Sequence, residues 1–220
     1  MSTAKNLAQQ LRCPNGEQAI AVGSGMNQAN GLLNQRCIER LQLSDTDAVL
    51  EIGPGNGAFA AQICAAANNI HYTGVDWSAE MVTAAEQLNH DLIRNGYAQF
   101  LRADAAELPY AKNSFTKLLA VHVIYFWQPL ARYLAELQRV LTPRALCCFA
   151  FGDRSFMQQL PFTAYDFTLY DAQHVQHLLH QHGFTVEQHW QHEETGLSNT
   201  GEMVQKTLHI LICRNRKDAL

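Results

Sequence analysis

The stretch Val49-Leu50-Glu51-Ile52-Gly53-Pro54-Gly55-Asn56-Gly57-Ala58-Phe59 decides how this 220-residue chain folds. A short apolar run carries one acid, Glu51, and breaks into three alternating glycines. A helical pattern over 58–68 follows at once. That order is strand, tight turn, helix. Glycine permits positive φ and lets a ligand lie against bare backbone. The helix start behind the turn offers unpaired N–H groups. Such a turn after the first strand marks the nucleotide end of an open α/β sheet. The spacing Gly53-x-Gly55-x-x-Ala58 also satisfies the dinucleotide fingerprint, so the turn alone leaves the nucleotide open.

Downstream of this stretch the chain alternates. Strands are expected over 48–52, 71–75, 99–102, 117–124 and 145–151, with helices over 58–68, 78–95 and 130–141, the last stopped by Pro143. This rhythm requires a parallel sheet with helices on both faces. After Phe151 it changes. Residues 152–167 read as irregular. A helix over 171–182 starts at Asp171 and ends before Gly183. Strands over 184–190 and 207–213, flanking a polar loop over 193–202, predict an antiparallel pair at the sheet edge. Upstream, 4–11 and 26–43 read as helices, so residues 1–46 are expected to form a helical lid on a single domain over 47–220. Asn27, Asn30 and Asn34 share one helix face. That face is either solvated or offers amides to a ligand.

Composition narrows the class. Hydrophobic residues make up 47% of the chain, enough for a full core. The formal net charge of −4 excludes a general nucleic-acid binder, which needs a basic stripe. The basic run 214–217 is too short to supply one. The six cysteines form no C-x-x-C pair and several sit in apolar patterns, as expected of reduced thiols in a cytoplasmic protein. No signal-peptide core occupies the first residues, and no apolar run is long enough to cross a bilayer. The expected partners are therefore neither nucleic acid nor membrane. His174, His177 and His180 recur on the late helix, with His189 and His192 beyond, but no acid or cysteine completes a ligand set, so no metal site is expected.

Three acids stand at matching strand ends: Glu51, Asp76 and Asp104. Asp76 follows Gly57 by 19 positions, close to the roughly 20 of a ribose-binding acid. In a doubly wound sheet these ends share one rim. A dinucleotide would set a doubly negative pyrophosphate beside Glu51, where like charges repel strongly once water is excluded. S-adenosylmethionine has no phosphate and is net positive, so acids at the rim suit it.

Here the sequence resembles the class I S-adenosylmethionine-dependent methyltransferases, in their small-molecule branch. The likeness runs through Val49 to Gly57, Gly74-Val75-Asp76-Trp77-Ser78, 102–110, 115–127 and 137–143. It implies a Rossmann-like, doubly wound seven-stranded sheet, mostly parallel with an antiparallel last strand beside the fifth. It assigns Glu51, Gly53, Pro54, Gly55, Asn56 and Gly57 to the methionine end of the cofactor and Asp76 to the ribose. Trp77 and Met81 go to the adenine face, Asp104 and Ala105 to the adenine edge, and Val121 and His122 to the flank of the methionine group. Thr142-Pro143-Arg144 departs from the family's Pro-Gly-Gly turn, at the sheet end opposite the rim.

The resemblance implies in-line methyl transfer to a small-molecule acceptor, by a monomer or homodimer. His122 and Tyr125 are the best-placed candidates for a catalytic base, if the acceptor must lose a proton. The alternative for both is plain packing. Neither the Asn/Asp-Pro-Pro-Tyr/Phe run of amino-methyltransferases of DNA nor a Pro-Cys nucleophile occurs, which points away from nucleic acid. Phe156, Phe162, Tyr165 and Phe167 are candidates to line the acceptor pocket or simply to fill core. Two other readings share the fold: an NAD(P)-dependent oxidoreductase and a non-catalytic binding module.

Overall fold

A computed structural model describes residues 3–216. Lys217 of the short basic run lies outside them, as do the first two residues. Seven strands form one sheet in the order β3-β2-β1-β4-β5-β7-β6: β1 Ala48–Ile52, β2 His71–Asp76, β3 Ala98–Arg102, β4 Phe115–Val121, β5 Leu141–Gly152, β6 Phe184–Leu197 and β7 Met203–Asn215. The first five pair in parallel. β7 runs antiparallel between β5 and β6. The helices, in chain order, are α1 Thr3–Arg12, α2 Ala19–Arg40, α3 Ala60–Cys64, α4 Ala79–Leu88, α5 His90–Arg94, α6 Leu130–Val140, α7 Arg154–Met157 and α8 Ala172–Gln181.

The strand order reverses between β1 and β4, and a doubly wound sheet opens its ligand crevice at such a point. Register aims the loops there. Ile52 pairs with Val75 on one side and Ala120 on the other, and Asp76 pairs with Arg102. Gly53, Asp76, Ala103 and Val121 therefore emerge along one edge. The central strands are buried on both faces, with Val49, Leu50, Leu118 and Leu119 fully enclosed, as unbroken apolar runs require.

Several boundaries differ from the sequence reading. The expected helix over 58–68 shrinks to α3. The one over 78–95 divides at Asn89, whose side-chain amide donates to Gly57 O and Ala85 O at 3.0 Å each. β4 ends at Val121 instead of reaching Ile124, because His122 takes φ +57° and turns the chain into a 3₁₀ turn, Ile124–Phe126. α6 stops at Val140, ahead of Pro143, since β5 begins at once and absorbs Thr142-Pro143-Arg144 in a bulge between the pairs Phe115–Leu141 and Lys117–Leu146. That bulge lies at the opposite end of the sheet from the crevice.

The largest difference is the terminal hairpin. The strand pairs run out to Leu197–Met203, so the first half of the expected loop over 193–202 is ladder. Its outer residues are polar and half-exposed, which hides them from a hydrophobicity pattern. α2 starts seven residues before the expected helix over 26–43, through Gly23 and Gly25. A Cβ at Gly23 would stand 3.0 Å from Met81 Sδ, so the glycine serves a close helix approach. Leu33, Cys37, Ile38 and Leu41 join the main core. All six cysteines are free, four of them buried. No helix among the described residues is long and apolar enough to cross a membrane.

Candidate active site

Gly53 makes the first turn of the crevice. It takes φ +72°, and a Cβ there would lie 2.4 Å from Val123 Cγ1. The loop after β1 thus rests directly on the loop after β4, and only glycine allows it. Gly55, at φ +56°, has no neighbour within 4 Å of its would-be Cβ, so its backbone is bare toward open space. Its N–H donates to Asp76 Oδ2 at 3.0 Å, while Asp76 Oδ1 accepts from Ser78 N–H at 2.9 Å. The end of β2 and the glycine turn are fastened through one carboxylate.

The cleft so formed is lined by Glu51, Gly53, Pro54, Gly55, Asp76, Trp77, Met81, Asp104, Ala105, Val121 and His122. These are eleven of the thirteen residues the sequence assigned to the cofactor. The other two stand one layer behind. Asn56 Oδ1 accepts from Asn27 Nδ2 at 2.8 Å and ties α2 to the turn. Gly57 is buried, and a Cβ there would meet Phe100 at 2.9 Å, so it provides close packing rather than a wall.

Glu51 is 5% exposed and its Oε2 accepts from the Tyr72 hydroxyl at 2.6 Å. Burial raises its carboxyl to about 7 against the help of Tyr72, with Asp76 raising it further. Burial likewise lifts Asp76 to about 6, opposed by the backbone N–H groups of Ser78, Gly55 and Trp77. Asp104 Oδ1 accepts from Ala106 N–H at 3.0 Å. Among the described residues no ion pair engages any of the three acids. Among the described residues Arg12 is the one Lys or Arg on the cleft wall, and it lies 5.0 Å over the Trp77 ring. Three carboxylates against one guanidinium fit a positively charged ligand and oppose a pyrophosphate.

His122 stands where this cleft meets a second cavity. Its Nδ1 lies 3.0 Å from the Tyr125 hydroxyl, which accepts from Gly152 N–H at 2.5 Å. Tyr125 is 1% exposed, so its own hydroxyl proton needs a partner, and His122 Nδ1 takes it. Nε2 then carries the ring proton. Burial, with the Lys206 cation adding, lowers the imidazole to about 4, and it is neutral at ordinary pH. Tyr125 lines the second cavity and not the first.

The second cavity is walled by Phe156, Phe162 and Phe167, as the aromatic pattern suggested, while Tyr165 packs against the core instead. Asn27, Asn30 and Asn34 of α2 all line the first cleft. Residues not singled out by the sequence reading include Leu11, Arg12 and Pro14 of the expected lid segment and Ser198, Asn199 and Lys206 of the hairpin. No local pattern marks them, since a fold contact brings each there. His174, His177 and His180 are solvent-exposed on α8.

Residues 50–149 match a family described as a methyltransferase domain. An O-methyltransferase of Aspergillus nomiae is 31% identical over 105 residues, 48% of this chain and 46% of that protein. The demethylmenaquinone methyltransferase of Porphyromonas gingivalis is 27% identical over 146 residues, 60% of each chain. The chain thus spans about half the length of the relatives it matches. Among solved structures, a chain of the complex between the Haloferax volcanii Trm112 methyltransferase activator and the putative methyltransferase superposes with a TM-score of 0.76 at 14% identity, over 99% of this chain and 100% of that one. At that identity the likeness bears on the fold, which it extends through both the N-terminal helices and the terminal hairpin. The chain thus carries a methyltransferase domain over residues 50–149, and its glycine turn, rim acids and inserted antiparallel strand are those of the Rossmann-like fold of S-adenosylmethionine-dependent methyltransferases.

Proposed function

We propose that the protein transfers a methyl group from S-adenosylmethionine to a small organic acceptor by in-line displacement. One observation carries this reading: an acid-walled cleft at the switch point abuts a largely apolar cavity, and His122 belongs to both. Bound S-adenosylmethionine supplies an electrophilic methyl on a sulfonium centre.

The chain's own residues hold and align. Glu51 and the backbone of Gly53 and Gly55 receive the amino-acid end, with Asn56 and Gly57 supporting the turn. Asp76 accepts from the ribose hydroxyls with the lone pairs its backbone donors leave free. Trp77 and Met81 flank the adenine, Asp104 and Ala105 its edge, and Val121 the methionine group. His122 presents an Nε2–H donor to the acceptor, and Tyr125 is a positioning residue that fixes that tautomer. Alignment of two bound reactants supplies most of what such a displacement needs. A small acceptor suits the chain's acidic balance, and one relative is named for demethylmenaquinone. We place residues 3–18 as a cap over the adenine end and assign α2 to the main domain, because its apolar face belongs to the core.

Calorimetric titration of the purified protein with S-adenosylhomocysteine and, separately, with NAD tests the reading. Binding of the first and not the second is expected. Tight NAD binding with no response to S-adenosylhomocysteine returns the protein to the oxidoreductases.

A further inference from the structure

The cavity beyond His122 has a chemical character of its own. Phe156, Met157, Leu160 and Phe162 make one side of it apolar. The β6–β7 hairpin adds the polar Ser198, Asn199 and Lys206 beside Leu197 and Leu208. Lys206 is 5% exposed there. Its Nζ donates to Ala29 O at 2.5 Å and lies 3.7 Å from Glu194 Oε1. Glu194 also pairs with Arg36 at 3.2 Å. Two cations thus share one carboxylate, and the triad keeps a net positive charge. An ammonium has three N–H donors. The carbonyl and the carboxylate account for two, which leaves one for the cavity that Lys206 lines. Asn199 adds a second sign of an intended ligand: its Oδ1 is buried with no hydrogen-bond partner. Buried polar atoms of native proteins are nearly always paired, and an orphan on a cavity wall marks a place for a donor.

Resting on the methyltransferase reading above, we propose that this cavity takes an acceptor that enters as an anion: an apolar ring bearing an ionised oxygen, with a hydroxyl or amide donor elsewhere on it. The ionised oxygen meets Lys206 and the Nε2–H of His122, and the donor meets Asn199 Oδ1. The two cavities then carry opposite signs, acidic for the cationic cofactor and basic for the acceptor. The acceptor's oxygen lone pair forms the new O–CH₃ bond as the S–CH₃ bond breaks, with that bond's electron pair staying on sulfur. The oxygen loses its negative charge and the sulfur its positive one. No proton leaves, so a histidine that presents N–H at the seam suffices where a general base would otherwise be needed.

The test uses the whole protein saturated with S-adenosylhomocysteine and two probes of one shape, 2-naphthoate and 2-naphthamide, titrated by calorimetry. Naphthoate is expected to bind at least about tenfold tighter than naphthamide, since a desolvated cation discriminates strongly between charged and neutral partners. Lys206→Met is expected to weaken naphthoate by at least about tenfold and to leave naphthamide unchanged, while Lys206→Arg retains the preference. Equal binding of the two probes, binding of neither, or indifference to Lys206→Met overturns the proposal. The comparison of probes needs no variant, so a poorly folding Lys206→Met leaves it decisive. Absence of S-adenosylhomocysteine binding would instead sink the methyltransferase reading itself.

Discussion

Glu51 shows what the site demands of a single residue. A carboxyl buried at the end of β1 and raised to about 7 binds its proton more tightly in the folded chain than in the unfolded one. Between its ordinary value near 4.5 and about 7, the native state therefore holds more protons, and stability falls as pH rises. Below that window the cost vanishes; above it the cost reaches about 3 kcal/mol. Glu51→Gln is expected to remove this slope, so urea unfolding should find the variant the more stable at pH 8 and no better than wild type at pH 4. Parallel curves across that range would mean Glu51 is not the buried acid described. A cation placed beside it favours ionisation, which gives the cofactor a reason to want this otherwise costly group. Asp76 is the second test at this scale. Asp76→Ala removes the acceptor for ribose hydroxyls and is expected to weaken S-adenosylhomocysteine binding by about 1–3 kcal/mol. An unchanged dissociation constant by calorimetry would refute the ribose assignment.

Elements of this fold are held in place by few, well-placed side chains. α6 grips the loop after β3. Glu136 Oε1 accepts from Leu108 N–H at 2.6 Å, and Arg139 donates to Leu108 O at 2.9 Å and Tyr110 O at 2.7 Å. Arg139 also meets Glu136 at 2.7 Å, so the two residues act as one clamp. That loop begins with Asp104 and Ala105 of the cleft. Arg139→Ala is expected to cost about 1–3 kcal/mol and to speed amide hydrogen exchange over 104–110. Exchange confined to α6 would show that the clamp does not order the loop. The helical spacing of Glu136 and Arg139 is plain in the sequence, and it predicts their pairing. Their hold on a loop some thirty residues earlier is not, because parallel pairing of β3's neighbours and of β4 with β5 decides which loop faces α6.

At the scale of the whole molecule, α2 gives Leu33, Cys37 and Ile38 to the main core, with Leu41 at its end, and the segment before it crosses the rim. Ser78 Oγ donates to Pro14 O, and Gly16 N–H donates to Glu80 Oε1 at 3.1 Å. With Arg12 over Trp77, these contacts lay the segment 12–16 against the Trp77 side of the cleft. A chain beginning at Ala19 is expected to keep a cooperative thermal transition by circular dichroism and to bind S-adenosylhomocysteine more weakly. A chain beginning at Asp47 is expected to lose that transition, because Leu33, Cys37, Ile38 and Leu41 leave large cavities in the core. A cooperative fold in the second would restore the lid to residues 1–46 as a separable unit.

The sequence alone determined the parallel sheet, the crevice at its switch point and the three rim acids. These follow from local order: apolar runs form strands, glycines bend the chain, and a strand's last residue must lie at its end. Even the antiparallel final pair could be read, since two strand-like runs flank a short polar stretch. Only the tertiary structure decided the partners of that rim. Lys206 and Asn199 reach the site through a hairpin whose outer residues are polar, and Arg12 through a segment fastened by Ser78 and Glu80. The tautomer of His122 likewise rests on a tyrosine that is itself pinned by the backbone of β5. Each depends on contacts between residues distant along the chain, where periodicity carries no information and only packing sets who meets whom.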